Sequence, residues 1–338
     1  MQHAERELTE SVPLCDSKGL LNPESIGFAR SPLVISNLKG QFMKKKRWNY
    51  WCIYGEDLLF STTIVHLDHK AICLIYILDY ETQRFYEKHL TLPFGRRIKM
   101  PEEPLDSIKF IHDELTVQFV HMQGETHLSV TIADFDNEPL HADLHIIHPD
   151  KDESLNVVIP KSRDTFHFTS KHTILPTGGF VKIGERRYDF NPYYSFAVHD
   201  YGRGVWNKMA DWNWAMASQR TGGKRVGLNL GGSWTDGTGL TENAVFVEGT
   251  MYKIHEDVLF GRDTENLMNP WRIRTKFSHD INLTFKPFFQ RQTLDHYFIR
   301  KMSVNQVIGY FHGKIRLPND QVLPIRQMLG SILERTDR

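Results

Sequence analysis

The chain is short of cysteine, with three in 338 residues (Cys15, Cys52 and Cys73) and no CxxC pair. Three thiols cannot build a disulfide scaffold, and without CxxC pairs there is no zinc-finger pattern. Free buried thiols fit a reducing compartment, and the expected location is cytoplasmic. Long apolar runs are missing too. The longest, Ala71 to Leu78, is far too short to span a bilayer. The first residues, MQHAERELTES, lack the apolar stretch of a secretory signal. Net charge is absent, since 41 Lys+Arg balance 41 Asp+Glu. No global field therefore favours nucleic acid or an anionic membrane. The one dense basic cluster, Lys44 to Arg47, reads as the solvated start of a strand, or else as a phosphate or lipid-headgroup contact. There is no Rossmann glycine fingerprint and no P-loop. Few segments carry a helical period, and Gln327 to Glu334 is expected as one short terminal helix.

What is present is alternation. Leu128, Val130 and Ile132 alternate with His127, Ser129 and Thr131. Leu140, Ala142, Leu144 and Ile146 alternate with His141, Asp143 and His145. A period of two marks half-buried strands with one wet face. Turn residues separate the runs at Gly55-Glu56-Asp57, Leu67-Asp68-His69, Gln123-Gly124 and Asp136-Asn137. Strands at short, regular spacing argue for antiparallel meanders. A second strand-rich block covers Val226–Leu230, Ala244–Val247, Met251–Phe260, Trp271–Phe277, Ile281–Phe285 and Val304–Leu317. Pro160 to Pro192 reads as the crossing between the blocks. The fold expected is all-β: two consecutive antiparallel barrels with little helix, over residues 31–185 and 186–338, after an irregular arm at 1–30. Closure into barrels of about eight strands removes exposed edges and leaves room for one small ligand.

Four of the seven Trp (Trp206, Trp212, Trp214 and Trp234) fall between Tyr188 and Gly249. The same stretch carries His199, Asp200, Tyr201, Arg203, Asn229, Glu242 and Asn243. Aromatics beside titratable groups and glycines read as a pocket wall or as an aromatic core.

One ordered series is specific: His199-Asp200-Tyr201-Gly202-Arg203-Gly204, Trp212-Asn213-Trp214, Gly227-Leu228-Asn229-Leu230, then Thr241-Glu242-Asn243-Ala244. Pro270-Trp271, Asn282 to Pro287 and Gln306 to Gly313 continue it, and Trp48-Asn49-Tyr50-Trp51 stands near its start. From about residue 27 onward the chain resembles a bacterial family of unknown function, itself a distant relative of the double-lipocalin proteins. Those include carotenoid 1,2-hydratases, tocopherol cyclase and lipocalin-like pericyclases. The resemblance implies two lipocalin-like barrels and a hydrophobic ligand. It assigns no catalytic residue, because fold does not imply function.

If Phe196 to Tyr201 is a strand, Asp200 shares a face with Phe196 and Val198, and is expected to face the barrel interior. There it is either a neutral general acid or the partner of a nearby arginine, Arg203 or Arg225. Glu242 is a second candidate acid or base, against a capping role. Trp212, Trp214 and Met216 share one face, as pocket lining or as core. Asn229 stands among glycines, either close to a ligand or as a bridge between strands. The expected ligand-binding residues are His199, Tyr201, Arg203, Trp206, Trp212, Trp214, Asn229, Asn243 and Trp271. His141, Asp143 and His145 share a strand face, but the two imidazoles would stand ~13 Å apart. One metal cannot hold both at ~2 Å. No metal and no cofactor is expected. The reading that results is a protein taking a lipophilic small molecule, with no nucleic-acid partner and no integral membrane segment. It acts either as a cofactor-independent hydratase, cyclase or isomerase, or as a carrier. Carbohydrate binding on open Trp faces is the third alternative.

Overall fold

The structure, a computed structural model, describes residues 5–95, 98–206, 211–297 and 300–337. The chain forms two compact units, one of Glu7–Asn207 and one of Lys208–Arg338 joined by Met1–Arg6. The division falls at 207/208 and not at 185/186. The reason is that the strand at Phe196–Val205 pairs on both sides within the first sheet.

The first unit contains β1 (Val12–Pro13), β2 (Gly27–Ala29), β3 (Val34–Ile35), β4 (Lys45–Tyr54), β5 (Leu58–His66), β6 (Lys70–Asp79), β7 (Phe85–Pro93) and β8 (Ile108–Ile111). It continues with β9 (Leu115–Met122), β10 (Glu125–Phe135), β11 (Glu138–Ile147), β12 (Leu155–Ser162), β13 (Thr165–Ile183), β14 (Arg186–Phe190) and β15 (Phe196–Val205). The main sheet runs β7-β6-β5-β4-β15-β13-β11-β10-β9-β8. It curls, because Ile75 of β6 and Phe110 of β8, near opposite ends of that order, share one apolar cluster. Tyr86 of β7 also meets Phe135 of β10, with ring centroids 6.2 Å apart. The expected turns are present. Asp136 and Asn137 both take positive φ, 60° and 68°, as a tight hairpin between β10 and β11 requires.

Pro160 to Pro192 is no crossing but the centre of this sheet. β13 pairs β12 and β15 along its first half, and β11 and β14 along its second. The change of partners sits at a register shift between His172 and Leu175. Gly179 follows at φ 115°, where an added Cβ would lie 2.1 Å from Asp143 O. A bulge and a glycine bend the strand so that one segment serves two parts of the sheet. The arm folds as a plug: its Leu8, Leu14 and Leu21, with Val34 just beyond it, pack with Phe166, Phe168, Tyr201 and Val205. It holds the short strands β1 and β2 and a 3-10 turn at Pro23–Ser25, and β3 just beyond it pairs with β1; there is no α-helix among the described residues.

The second unit contains β16 (Trp212–Thr221), β17 (Lys224–Gly232), β18 (Ala244–Val247), β19 (Thr250–Lys253), β20 (Val258–Gly261), β21 (Trp271–Thr275), β22 (Ile281–Tyr297), β23 (Arg300–Arg316) and β24 (Val322–Asp337). Its order is β19-β18-β17-β16-β24-β23-β22-β21-β20. Gln327 to Glu334, expected as a helix, is strand in β24. It pairs with β23, and from Gly330 onward with β16 on its other edge as well. This sheet curls as well: a Cβ on Gly232 of β17 would stand 3.0 Å from Val258 O of β20. The architecture is two lipocalin-like sheets in sequence. No helix among the described residues is long and apolar enough to cross a membrane.

Candidate functional site

The segment His199 to Gly204 decodes as strand alternation in β15. All ten residues of β15 are buried. His199, Tyr201 and Arg203 share a face with Ala197, which belongs to the main apolar core of the first unit. Asp200, Gly202 and Gly204 lie on the opposite face, so Asp200 does not point into that core as expected. An added Cβ at Gly202 would be 1.9 Å from Trp48 Cζ2, and one at Gly204 would be 2.2 Å from Trp206 Cζ3. The two glycines make room for indole rings. Trp48 and Trp206 meet there edge to face at 6.0 Å, with His167 5.1 Å from Trp48.

Asp200 pairs with a lysine, not an arginine. Its Oδ1 accepts from Lys171 Nζ at 2.9 Å and from Thr169 Oγ1 at 3.0 Å; its Oδ2 accepts from Trp48 Nε1 at 2.9 Å. Lys171 is its direct cross-strand neighbour. The carboxylate is thus committed to three donors, one of them a buried ammonium. Arg203 instead donates to three carbonyls: Trp48 O and Gly202 O at 2.7 Å, and Pro101 O at 2.9 Å. It stacks over the Tyr201 ring at 3.6 Å, and burial pulls its pKa down to about 10. Tyr201 donates its hydroxyl to Pro101 O at 3.0 Å and shares a 2.5 Å bond with Ser36. Both residues anchor the 101 segment over β15. The basic cluster is likewise structural: Arg47 and Lys45 pair with Asp68, and Lys46 Nζ donates to Trp206 O.

His199 belongs to a feature the sequence hid. It stacks on Trp51 at 4.0 Å and 12°. Its Nε2 is 3.0 Å from Asn49 Oδ1. His172, opposite it across the β13–β15 pair, lies 5.5 Å away between centroids, His148 6.1 Å beyond, and His121 5.1 Å beyond that. Thr126 Oγ1 links the outer two, 3.1 Å from His121 Nδ1 and 2.8 Å from His148 Nε2. The row runs from half-buried His121 and His148 to buried His172 and His199. Burial pushes His148 down to about 3, His172 to about 4 and His199 well below the ordinary imidazole range, and the neighbouring imidazoles add to this. At neutral pH the row is uncharged. His199 Nδ1 and Trp51 Nε1 are buried and take no hydrogen bond among the described residues. The four histidines are scattered from 121 to 199. Their one visible signal was composition, 17 His in the chain.

The remaining expected residues lie in the second unit. Trp214 and Met216 are buried and Trp212 is half-buried. They occupy the face of β16 opposite Ala215 and Ala217, which belong to the core of this unit. Asn229 is a bridge: its Oδ1 accepts from Trp214 Nε1 at 2.8 Å and its Nδ2 donates to Glu242 O at 2.6 Å. Asn243 accepts from Gly231 N at 2.7 Å and donates to Glu256 O at 2.9 Å. Trp271 is core, with its indole N–H on Leu267 O at 2.8 Å. Glu242 is buried near Lys253, which is clamped by Glu5 at 2.5 Å, Thr241 Oγ1 at 2.6 Å and Ile254 O at 3.1 Å. Burial draws Lys253 down to about 8 against the pull of Glu5. An open cavity of about 360 Å³ in this unit is lined by Asn213, Arg262, Arg272 and Arg274 among others, and by none of the expected residues.

Over residues 5–338 the sequence matches the family described as a domain of unknown function, DUF2804. The chain belongs to the DUF2804 family. None of the curated proteins matches it. The crystal structure of CghA aligns with this DUF2804 chain at a TM-score of 0.53 and 10% identity, covering 87% of this chain and 88% of that one. The structure of kievitone hydratase from Nectria haematococca aligns at a TM-score of 0.52 and 8% identity, covering 87% and 89%. The shared property is the double-lipocalin fold.

Proposed function

We propose that the protein takes a lipophilic small molecule into the first barrel, against the stacked Trp51–His199 pair. There it acts as a cofactor-independent acid–base catalyst of the hydratase, cyclase or isomerase kind. The observation that carries this reading is the buried histidine row ending on two unpartnered polar atoms, His199 Nδ1 and Trp51 Nε1. A buried polar atom without a partner calls for one, from ligand or water. A neutral imidazole is a base, and the row offers a route for its proton to the solvent side at His121. His199 takes a proton from carbon or from an attacking water, and the row returns one to the product. Trp51 supplies an apolar face and an N–H donor. The fold shared with kievitone hydratase is compatible with such chemistry.

The carrier reading has its own support. Asp200, the acid first expected to protonate a substrate, is held in an ion pair. One experiment separates the two. Native mass spectrometry of freshly purified protein identifies a co-purified compound, which is then incubated with enzyme in deuterium oxide. A catalyst changes its mass or adds deuterium, and His199→Gln abolishes this while still retaining the compound. A carrier returns the compound unchanged. Protein that carries no compound counts against both.

A further inference from the structure

The spacing along β11 rules out a metal shared by His141 and His145, but the antiparallel register supplies a different ligand. His127 of β10 stands directly opposite His145, and Ser129 opposite Asp143. The His127 and His145 rings stack at 4.7 Å and 15°. Both Nε2 atoms converge on one oxygen, Asp143 Oδ1, at 2.8 Å from His127 and 3.4 Å from His145. One ligand atom from each of the three residues lies within 4.8 Å of the other two. A tetrahedral zinc ion with bonds of ~2.0–2.1 Å holds its ligand atoms ~3.3–3.4 Å apart. Small side-chain rotations bring the three to that spacing.

A fourth residue points the same way. His145 Nδ1 lies 2.6 Å from Glu125 Oε1. In the tautomer that donates its Nδ1–H there, the Nε2 lone pair faces the Asp143 carboxylate, and a cation between them would be held by both. Carboxylate to imidazole to metal is the usual outer-shell arrangement of histidine ligands. The four side chains are between 36% and 52% exposed, so an ion reaches them from solvent.

We infer that His127, His145 and Asp143 bind a divalent transition ion through two imidazole nitrogens and one carboxylate oxygen, with Glu125 orienting His145. Two imidazoles and a carboxylate suit zinc, nickel or copper(II) rather than magnesium or calcium. Three protein ligands leave a fourth position open to water or to a donor from another molecule.

The test is titration of the chelator-stripped, full-length protein with zinc(II) against a chromophoric competitor. One equivalent is expected to bind. His127→Ala and His145→Ala each abolish that site, and Glu125→Gln weakens it by roughly tenfold. His141→Ala leaves it unchanged, since that residue shares the face of β11 but stands out of reach. All these side chains lie on exposed strand faces, and circular dichroism confirms that the variants remain folded. A protein with no stoichiometric site overturns the inference. So does a site that survives both histidine substitutions, or one lost equally in His141→Ala.

Discussion

Replacing Asp200 by Asn keeps the size of the side chain and removes its charge. The parent carboxylate is 5% exposed, and Lys171 beside it is 3% exposed. Removing one partner of a buried ion pair costs about 3–5 kcal/mol, because the remaining charge loses its compensation. For a unit of this size a loss of 1 kcal/mol lowers Tm by roughly 2–4 °C. The expected fall is therefore roughly 6–20 °C. It is measured by thermal unfolding at pH 7, followed by near-ultraviolet circular dichroism. The double variant Asp200→Leu/Lys171→Met removes both charges and is expected to recover most of the loss, since an apolar pair carries no ionic desolvation penalty. A Tm for Asp200→Asn within about 2 °C of the parent would refute the buried-pair reasoning. If the double variant is as unstable as the single one, the cost lies in the bonds to Trp48 and Thr169 and not in the charge.

Gly202→Ala drives a Cβ to within 1.9 Å of Trp48 Cζ2. Overpacking of this kind is expected to cost about 1–3 kcal/mol, read as a lower urea midpoint at unchanged m. Stability is also expected to fall below pH 6.5. His148, His172 and His199 have depressed pKa values when folded, so the unfolded chain takes up protons first. Their contribution is complete above the unfolded imidazole pKa, near 6.5. It is lost as pH falls toward about 4, the folded value of His172. Each linked proton adds a slope of about 1.4 kcal/mol per pH unit. Urea melts at pH 7.5 and pH 5.0 that coincide would count against buried neutral histidines. Glu5→Gln takes from buried Lys253 its carboxylate and is expected to destabilise the second unit by about 3–5 kcal/mol, seen in denaturant melts followed by Trp fluorescence. An unchanged melt would show that Thr241 and Ile254 O hold the ammonium unaided.

Much of the fold was legible because period-two alternation is a local property. Leu128, Val130 and Ile132 face the core, and the turns at Gln123-Gly124 and Asp136-Asn137 join the strands that flank them. Where both faces of a strand are buried, alternation assigns residues to two sets but not to two sides. For that reason Asp200 shares its face with Phe196 and Val198, as alternation predicts, but that face is opposite the one that meets the main core of the first unit. The terminal strand failed for a related reason. Gln327 to Glu334 pairs with β23 and, from Gly330 onward, with β16 as well, and a short apolar run carries no mark that separates strand from helix. The boundary was misplaced because strand pairing across more than a hundred residues, β15 with β4, decides which unit a segment joins.

The sequence by itself determined the class of structure: all-β, antiparallel, two barrels, with its cysteines free and buried. It also determined which residues share a strand face, because a pleated chain reverses its side chains at every step. Only the tertiary structure decided what those faces meet. Lys171 opposite Asp200, His172 opposite His199 and His127 opposite His145 are register facts. The β10–β11 register is fixed by its hairpin turn, whereas the β13–β15 register depends on long-range pairing interrupted by the bulge in β13, and a shift of one residue would exchange every partner. Three pairs of residues that are each unremarkable in sequence thereby become a buried ion pair, part of a histidine row and two of the proposed metal ligands.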